Sequence, residues 1–178
     1  ELRETGYKMH GIQLWMALPE EHEETDPDFI HTPAADIPEI EQNGVTLRVM
    51  MGSAFGETSP VKTFSPTLYF EAHMEDGASF DLPIAEELGI YVVEGEALVD
   101  REPAPLFGMT VLTPSAKTVT AKGKTRLAVI GGTNLGHRHL EWNFVSSRKD
   151  RIEQAKADWK AGRFPKVIGD EKEYIRLD

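Results

Sequence analysis

The chain has 178 residues, enough for one generous domain or for one domain and a fragment of a second. Its 30 acidic and 19 basic residues give a formal charge of -11. This charge disfavours nucleic acid and anionic membranes as partners, because both attract Lys and Arg. The chain has no cysteine, so disulfides and thiolate metal sites are excluded. It opens at Glu1 without a basic and then apolar leader, and we expect a cytoplasmic protein or one whose true start lies upstream.

A strand is predicted from Met9 to Leu18, and both of its faces are apolar. Such a strand needs partners on both sides, although almost nothing precedes it. We therefore expect that its original sheet is not part of this chain. His10 lies on an apolar face, where a hydrogen-bonded core histidine is the ordinary interpretation.

Beyond the acidic, proline-rich residues 20–44, the sequence predicts short strands. Asn43-Gly44 stands between two runs typical of strands and predicts a two-residue hairpin turn. The strands that follow have no interleaved helices, which indicates a sandwich or closed barrel. We place them near Val61–Phe64, Thr67–Met74, Ala78–Leu82, Ile90–Val93, Ala97–Val99, Thr110–Leu112, Lys117–Ala121 and Arg126–Ile130. Turns are predicted at Asp76-Gly77, Glu94-Gly95, Lys122-Gly123 and Gly131-Gly132.

The end of the chain predicts one amphipathic helix. Ser147 and Asp150 have the spacing of a capping box. Ile152, Ala155 and Trp159 then recur at helical spacing. We expect Trp159 to be the largest side chain on the buried stripe.

Several blocks of this sequence resemble the pirin family, whose members are tandem cupin barrels. The match extends over nearly the whole chain, and the blocks are specific together rather than singly. They are Met9–Pro19, Ser65–Tyr69, Tyr91–Glu96, Trp142–Ser147, Arg151–Ala155 and Gly162–Phe164.

The resemblance implies an all-β fold, a cupin or jelly-roll (RmlC-like) β-barrel with one C-terminal α-helix. It further implies a bicupin whose metal, iron or another divalent ion, is held in the N-terminal barrel only, upstream of Met9. On this basis residues 1–19 are interpreted as a terminal strand left over from a first cupin barrel, and residues 20–44 as an acidic, proline-rich linker and hairpin. Residues 45–145 then form the C-terminal cupin barrel, and residues 146–178 form the C-terminal helix and tail.

The general cupin signature predicts where metal ligands would stand in this barrel. A cupin site needs imidazoles and a carboxylate that project inward from adjacent strands. Alignment of the signature places Pro83, Ala85, Leu88 and Val119 at these positions. The frame of the motif is recognisable, but every ligand position is apolar. We therefore expect no catalytic residue, no metal and no cofactor in this chain.

Two further groups of polar residues are candidate site residues outside the cupin motif. His137, His139 and Glu141 imitate a cupin motif after the last predicted barrel strand. Two interpretations stay open for them: a weak surface site for adventitious zinc or nickel, and ordinary surface histidines. Tyr69, Glu71 and His73 share one face of the strand Thr67–Met74, opposite Leu68, Phe70, Ala72 and Met74. They line either a pocket inside the barrel or its outer face.

Three functions follow as hypotheses. The leading one is a metal-free structural and interaction half of a pirin-like bicupin, whose partners are the N-terminal cupin barrel of the same protein and, as some relatives suggest, another protein. The second is an enzyme: the intact protein would be an iron-dependent quercetin-2,3-dioxygenase whose metal lies in the N-terminal barrel. The third is a stand-alone small-molecule binder. The apolar replacements Pro83, Ala85 and Val119 disfavour it, because such a binder would need a roomy polar pocket. Without its first barrel, the chain is expected to self-associate.

Overall fold

The computed structural model describes residues 6, 11–169, 171 and 175–176. Two compact units are present, and each is described by itself. The first, the barrel unit, contains Glu21–Gly136, and the second, the terminal unit, contains Glu1–Glu20 together with His137–Asp178. The described strands are β1 (Glu39–Gln42), β2 (Val45–Met51), β3 (Ser53–Ala54), β4 (Glu57–Thr58), β5 (Thr67–Met74), β6 (Ser79–Asp81), β7 (Glu87–Val99), β8 (Glu102–Ala104), β9 (Met109–Val111), β10 (Thr118–Gly132), β11 (His139–Glu141) and β12 (Phe144–Ser146).

The barrel unit begins with the hairpin that the sequence predicts. Strands β1 and β2 pair antiparallel with Gln42 opposite Val45, and Asn43 and Gly44 both adopt positive φ between them. Such a turn matches the right-handed twist of the flanking strands. Two short 3-10 turns, Glu20–His22 and Ala34–Asp36, precede it. Ile37 is buried, so part of the predicted linker belongs to the folded unit.

Two long strands organise the sheet. Its order is β1-β2-β5-β10-β7-β8, and β6 and β9 pair with β10 and β7. Strand β7 joins the predicted strands Ile90–Val93 and Ala97–Val99, because the predicted turn at Gly95 lies within a continuous strand. Strand β10 joins Lys117–Ala121 and Arg126–Ile130 through Gly123 in the same way. The ladder between β7 and β10 shifts register between Lys122 and Arg126, and such a bulge absorbs the extra residues. The predicted strand Val61–Phe64 is wrong, since these residues have no strand structure.

The core of the barrel unit confirms the predicted faces of β5. Leu68, Phe70, Ala72 and Met74 are buried, and Phe70 contacts Phe55 and Phe80 edge to face at 5.1 and 5.7 Å between ring centroids. Aliphatic side chains from the neighbouring strands complete the cluster. The inward positions of β5 are therefore all filled by apolar side chains.

The terminal unit combines a hairpin with the helix α1 (Lys149–Lys160). Strands β11 and β12 pair antiparallel through Glu141 and Phe144. Ile152 and Ala155 of the helix are buried, and Trp159 lies 5.0 Å from Trp142 between ring centroids. The helix and its apolar stripe were thus predicted, and its N-cap lies one residue after the predicted Ser147. Arg148 is the N-cap, without a side-chain cap hydrogen bond.

The described part of the predicted first strand is not a strand. Residues 11–19 have no regular secondary structure, and Met9 and His10 lie outside the described residues. Leu14, Trp15 and Met16 are 37%, 52% and 44% exposed. Because this segment has no sheet to join in the described chain, its apolar sequence alone does not produce strand structure. None of the helices among the described residues is long and apolar enough to cross a membrane.

Candidate functional site

A cavity lies at one end of the barrel, where three of the four degenerate cupin positions meet. Pro83, Ala85 and Leu88 line it, and its volume is about 450 Å³. It is bounded by the loop between β6 and β7 and by the loop between β9 and β10. The backbone N–H of Leu82 donates to the carbonyl of Lys117 at 2.7 Å and ties the two loops together.

Val119, the fourth degenerate position, does not line this cavity. It is fully buried in the core, opposite Phe80 on β6 and Val99 on β7. The structure therefore brings Pro83, Ala85 and Leu88 together and places Val119 deeper in the barrel.

The side chains at these positions do not fit a metal ion. Proline, alanine, leucine and valine side chains carry no nitrogen, oxygen or sulfur donor. Among the described residues, no group of three or more His, Asp or Glu is arranged to hold a metal ion. We therefore derive no chemistry through a metal in this barrel.

Polar residues line the cavity together with the apolar ones and form its exposed rim, since Asp81, Glu86, Thr113, Ser115 and Lys117 are all exposed. Asp81 accepts a hydrogen bond from the Thr118 hydroxyl at 3.3 Å. The hydroxyls of Thr113 and Ser115 are 3.0 Å apart. Glu86 and Lys117 complete the charged residues that line the cavity. Sequence reasoning missed this rim, because it searched only for metal ligands; the signal was a set of polar residues in the two loops that flank the degenerate motif.

A second, larger cavity of about 600 Å³ shares Ile84, Ala85 and Glu86 with the first. Hydroxyl side chains make up much of its wall, but several of them are bonded within the chain. The Ser59 hydroxyl, for example, donates to the carbonyl of Met50 at 2.7 Å, and Ser53 and Thr58 bond each other at 2.8 Å. These hydroxyls stabilise the loops around β3 and β4.

Tyr69, Glu71 and His73 lie on the outer face of the sheet, since the alternate residues of β5 form the core. The Tyr69 hydroxyl donates to Glu71 Oε1 at 2.8 Å, and Arg126 Nη2 on β10 bonds Glu71 Oε2 at 3.1 Å. His73 Nε2 lies 3.9 Å from the same carboxylate. This arrangement is a partly buried polar network on the barrel surface. Sequence reasoning missed Arg126, although it is paired with His73 by the register of β10 and β5.

The network shifts the pKa of each of these groups. Burial and the hydrogen bond to Glu71 raise the pKa of Tyr69, so its hydroxyl stays a donor. Burial alone would raise the pKa of Glu71, but the hydrogen bonds from Tyr69 and Arg126 and the charge of Arg126 outweigh it, and the pKa is lowered. Burial and the charge of Arg126 lower the pKa of His73. The network therefore holds an ionised carboxylate beside a neutral imidazole.

His137, His139 and Glu141 fall in and beside the hairpin of the terminal unit. The imidazole rings of His137 and His139 are 4.8 Å apart and perpendicular. Glu141 forms an ion pair with Lys156 of α1, which ties the hairpin to the helix. The carboxylate thus has a cationic partner within the unit.

Comparison with known proteins shows that the chain is similar to members of one family. Residues 69–165 match the sequence profile of the Pirin C-terminal cupin domain. The chain is 44% identical to a pirin-like protein of Caulobacter vibrioides over 99% of its own length and 62% of that protein. It is 28% identical to a putative quercetin 2,3-dioxygenase of Pseudomonas aeruginosa, over 86% of this chain and 50% of that one.

Among solved structures, quercetin 2,3-dioxygenase from Acinetobacter baumannii is similar, with a TM-score of 0.81 and 26% identity. The match covers 92% of this chain and 56% of that one. The chain therefore spans between 50% and 62% of the length of these relatives.

Proposed function

Since this chain belongs to the pirin family, we propose that it is the C-terminal, metal-free structural and interaction half of a pirin-like bicupin protein. Its direct partner is then the N-terminal cupin barrel, and the terminal unit supplies the contact surface. The single observation that carries this proposal is the segment Gly11–Pro19. It is apolar and without strand structure in the described chain.

The exposed side chains of the terminal unit support this partner. Leu14, Trp15 and Met16 are exposed to 37%, 52% and 44%, and Leu140 on β11 to 65%. Leaving a large apolar side chain in water forgoes about 1.5–3 kcal/mol relative to burial. Several such residues in one small unit are typical of a surface that binds another protein.

The backbone of the same segment supports a sheet as the partner's structure. The Leu18 carbonyl accepts a hydrogen bond from Arg138 Nη2 at 3.0 Å, which fixes the end of the segment to the hairpin strand region. No ladder partner is present for residues 11–18 among the described residues. A segment with the sequence of a strand and no ladder partner can bind by adding a strand to the edge of another sheet. The acidic charge of the chain and the absence of cysteine are compatible with a cytoplasmic location, which forms part of the proposal.

Co-purification tests the partner directly. The part of the Caulobacter relative that the present chain does not cover is expressed with a tag together with this chain. We expect the two to co-purify with a stoichiometry of about one to one. Trp15→Glu should abolish the complex, because it introduces a charge into the apolar surface. Val111→Glu, at an 80% exposed position of the barrel unit, is the matched control and should bind normally.

Light scattering on the chain alone provides an independent test. We expect the full chain to self-associate, and deletion of residues 1–18 to reduce the association, because the deletion removes the apolar segment. A monodisperse monomer with no change on deletion would contradict the proposal. So would equal capture of the Trp15→Glu and unchanged chains in the co-purification.

A second candidate function concerns the whole protein. Relatives that carry the name quercetin 2,3-dioxygenase favour such a dioxygenase as the whole protein, and we propose that its iron lies in the first barrel. The present chain then contributes structure and no ligand to the metal. We expect no iron by elemental analysis and no oxygen uptake with quercetin from this chain alone. Activity should appear only with the first barrel bound, and turnover by the isolated chain would contradict this assignment.

A further inference from the structure

We propose that the cavity between the β6–β7 and β9–β10 loops binds a small amine with a hydrocarbon body. Apolar wall residues and two rim carboxylates meet there around one space. The inference does not depend on the proposed function, since the cavity belongs to the barrel unit and needs no first barrel.

The wall of the cavity favours a hydrocarbon body. Its volume of about 450 Å³ falls within the range of small-molecule sites. The replacements at the cupin ligand positions line this space and do not fill it, because proline and alanine are small. The apolar lining residues, apart from the fully exposed Ile84, are Leu82, Pro83, Ala85, Leu88, Leu112, Pro114 and Ala116.

The rim favours a positive charge on that body. Asp81 and Glu86 contribute two carboxylates, against the one ammonium of Lys117. The Asp81 carboxylate is held toward β10 by Thr118, and Glu86 Oε2 accepts the backbone N–H of Asn134 at 3.2 Å. Both groups are thus positioned by bonds to the barrel, and an ammonium group at the mouth would meet net negative charge. An anionic ligand of the same shape would be repelled.

Three probes of similar size test the charge preference. These are 2-phenylethylamine, 2-phenylethanol and 3-phenylpropanoate, and each is titrated into the isotopically labelled chain and followed by amide shifts in two-dimensional NMR. We expect shifts at Leu88, Leu112 and Ala116, with millimolar affinity. The amine should bind about three- to fivefold more tightly than the alcohol, as expected for an exposed charge contact. The carboxylate should bind most weakly.

Variants separate the wall from the rim. Ala116→Phe fills the cavity and should abolish binding of all three probes, and Ala35→Phe, at an exposed position outside the cavity, should leave binding unchanged. Asp81→Asn retains an acceptor for Thr118 and should erase most of the preference for the amine over the alcohol. The thermal midpoint and amide spectrum of each variant verify folding, and Ala85→Leu serves as a second filling variant if Ala116→Phe does not fold.

Each outcome decides the proposal. Localised shifts in the order amine, alcohol, carboxylate, lost on filling, would support it. Equal affinity for the three probes would overturn the assignment of an amine. Absence of shifts at the cavity, or binding that persists in the filled variant, would overturn the site itself.

Discussion

The barrel unit and the terminal unit bury their apolar residues to very different extents. In the barrel unit, β2, β5, β7 and β10 contribute side chains such as Leu47, Phe70, Ile90 and Val129 that are fully buried. In the described part of the terminal unit, the buried apolar side chains of α1 are Ile152 and Ala155. Its larger rings form a surface cluster instead, with Phe144 and Phe164 stacked at 5.8 Å and Trp159 at 5.4 Å from Phe164.

The difference teaches which region can be stable by itself. A core of fully buried side chains gains about 25 cal/mol for each Å² of apolar surface removed from water, so the barrel unit has its own source of stability. The terminal unit gains a smaller part of this burial free energy, because several of its apolar residues stay exposed to water. We therefore expect it to be the less stable region of the isolated chain and the one that gains most from a partner.

The sequence provides a spectroscopic separation of the two units. The chain has three tryptophans, and Trp15, Trp142 and Trp159 all belong to the terminal unit. Tryptophan fluorescence therefore reports on the terminal unit, and far-ultraviolet circular dichroism is dominated by the strands of the barrel unit. Both signals can be followed in one urea titration.

The largest effect is expected from Phe70→Ala. Phe70 is fully buried between Phe55 and Phe80, and removal of such a ring costs about 3–5 kcal/mol. The free energy of unfolding derived from the dichroism transition should fall by this amount, and the midpoint should move to lower urea. Phe29→Ala, at a 90% exposed position, is the control and should change stability by less than about 0.5 kcal/mol. An equal loss of unfolding free energy in the two variants would contradict the assignment of Phe70 to a stabilising core.

The second prediction compares the stability cost of a glycine-to-alanine change at two glycines on neighbouring strands. Gly95 on β7 has φ +76°, and an added Cβ would lie 2.3 Å from the Lys124 carbonyl oxygen. Gly123 on β10 has φ +70° with nothing within 4 Å. We expect Gly123→Ala to cost about 1–2 kcal/mol from backbone strain alone. Gly95→Ala should cost more, because the clash adds to the strain, and urea unfolding of the two variants in parallel gives the comparison.

A smaller effect is expected in the terminal unit from Trp159→Ala. The ring contacts Trp142 and Phe164, and its indole N–H donates to the Ile175 carbonyl at 2.8 Å. The ring is only partly buried, so we expect a loss of about 2 kcal/mol. The remaining tryptophans should report an earlier fluorescence transition, with the dichroism transition unchanged. A shift of the same size in both signals would mean that the two units unfold as one.

The smallest effect is expected from pH at the outer face of the barrel unit. The pKa of Glu71 is lower in the folded chain than its ordinary value of 4.5. The stability that this group contributes is therefore fully present above pH 4.5 and is lost as the pH falls through the lowered pKa. Glu71→Gln should cost about 1 kcal/mol at pH 7 and should reduce the loss of stability on acidification.

Urea unfolding at pH 7, 5, 4 and 3 measures this effect, with Glu57→Gln at an exposed position as the control. The lowered pKa of His73 also favours the folded state at higher pH, and the charge of Glu71 opposes that shift, so the same titrations are repeated in a His73→Asn background. An unchanged acid dependence in Glu71→Gln would show that the network adds nothing to stability.

Local pattern was enough to predict much of the fold. The hairpin at Asn43-Gly44, the two faces of β5 and the helix that carries Ile152 and Ala155 follow from turn chemistry and from apolar periodicity, which act over a few residues. The family was also predicted from the sequence, since several separated blocks resembled it together. That Pro83, Ala85 and Leu88 are former ligand positions stays a prediction, although the structure brings the three together at one cavity.

What the tertiary structure decided depends on residues far apart in the chain. Glycine-containing turns were predicted at Gly95 and Gly123, but pairing of β7 with β10 makes each strand continuous through them, because a bulge accommodates positive φ within a ladder. The segment Gly11–Pro19 has the sequence of a strand and no strand structure, since a strand exists only where another chain segment bonds to it. The pairing of Arg126 with Glu71 and the cavity beside Asp81 likewise arise where separate strands and loops meet, and no local sequence pattern contains that information.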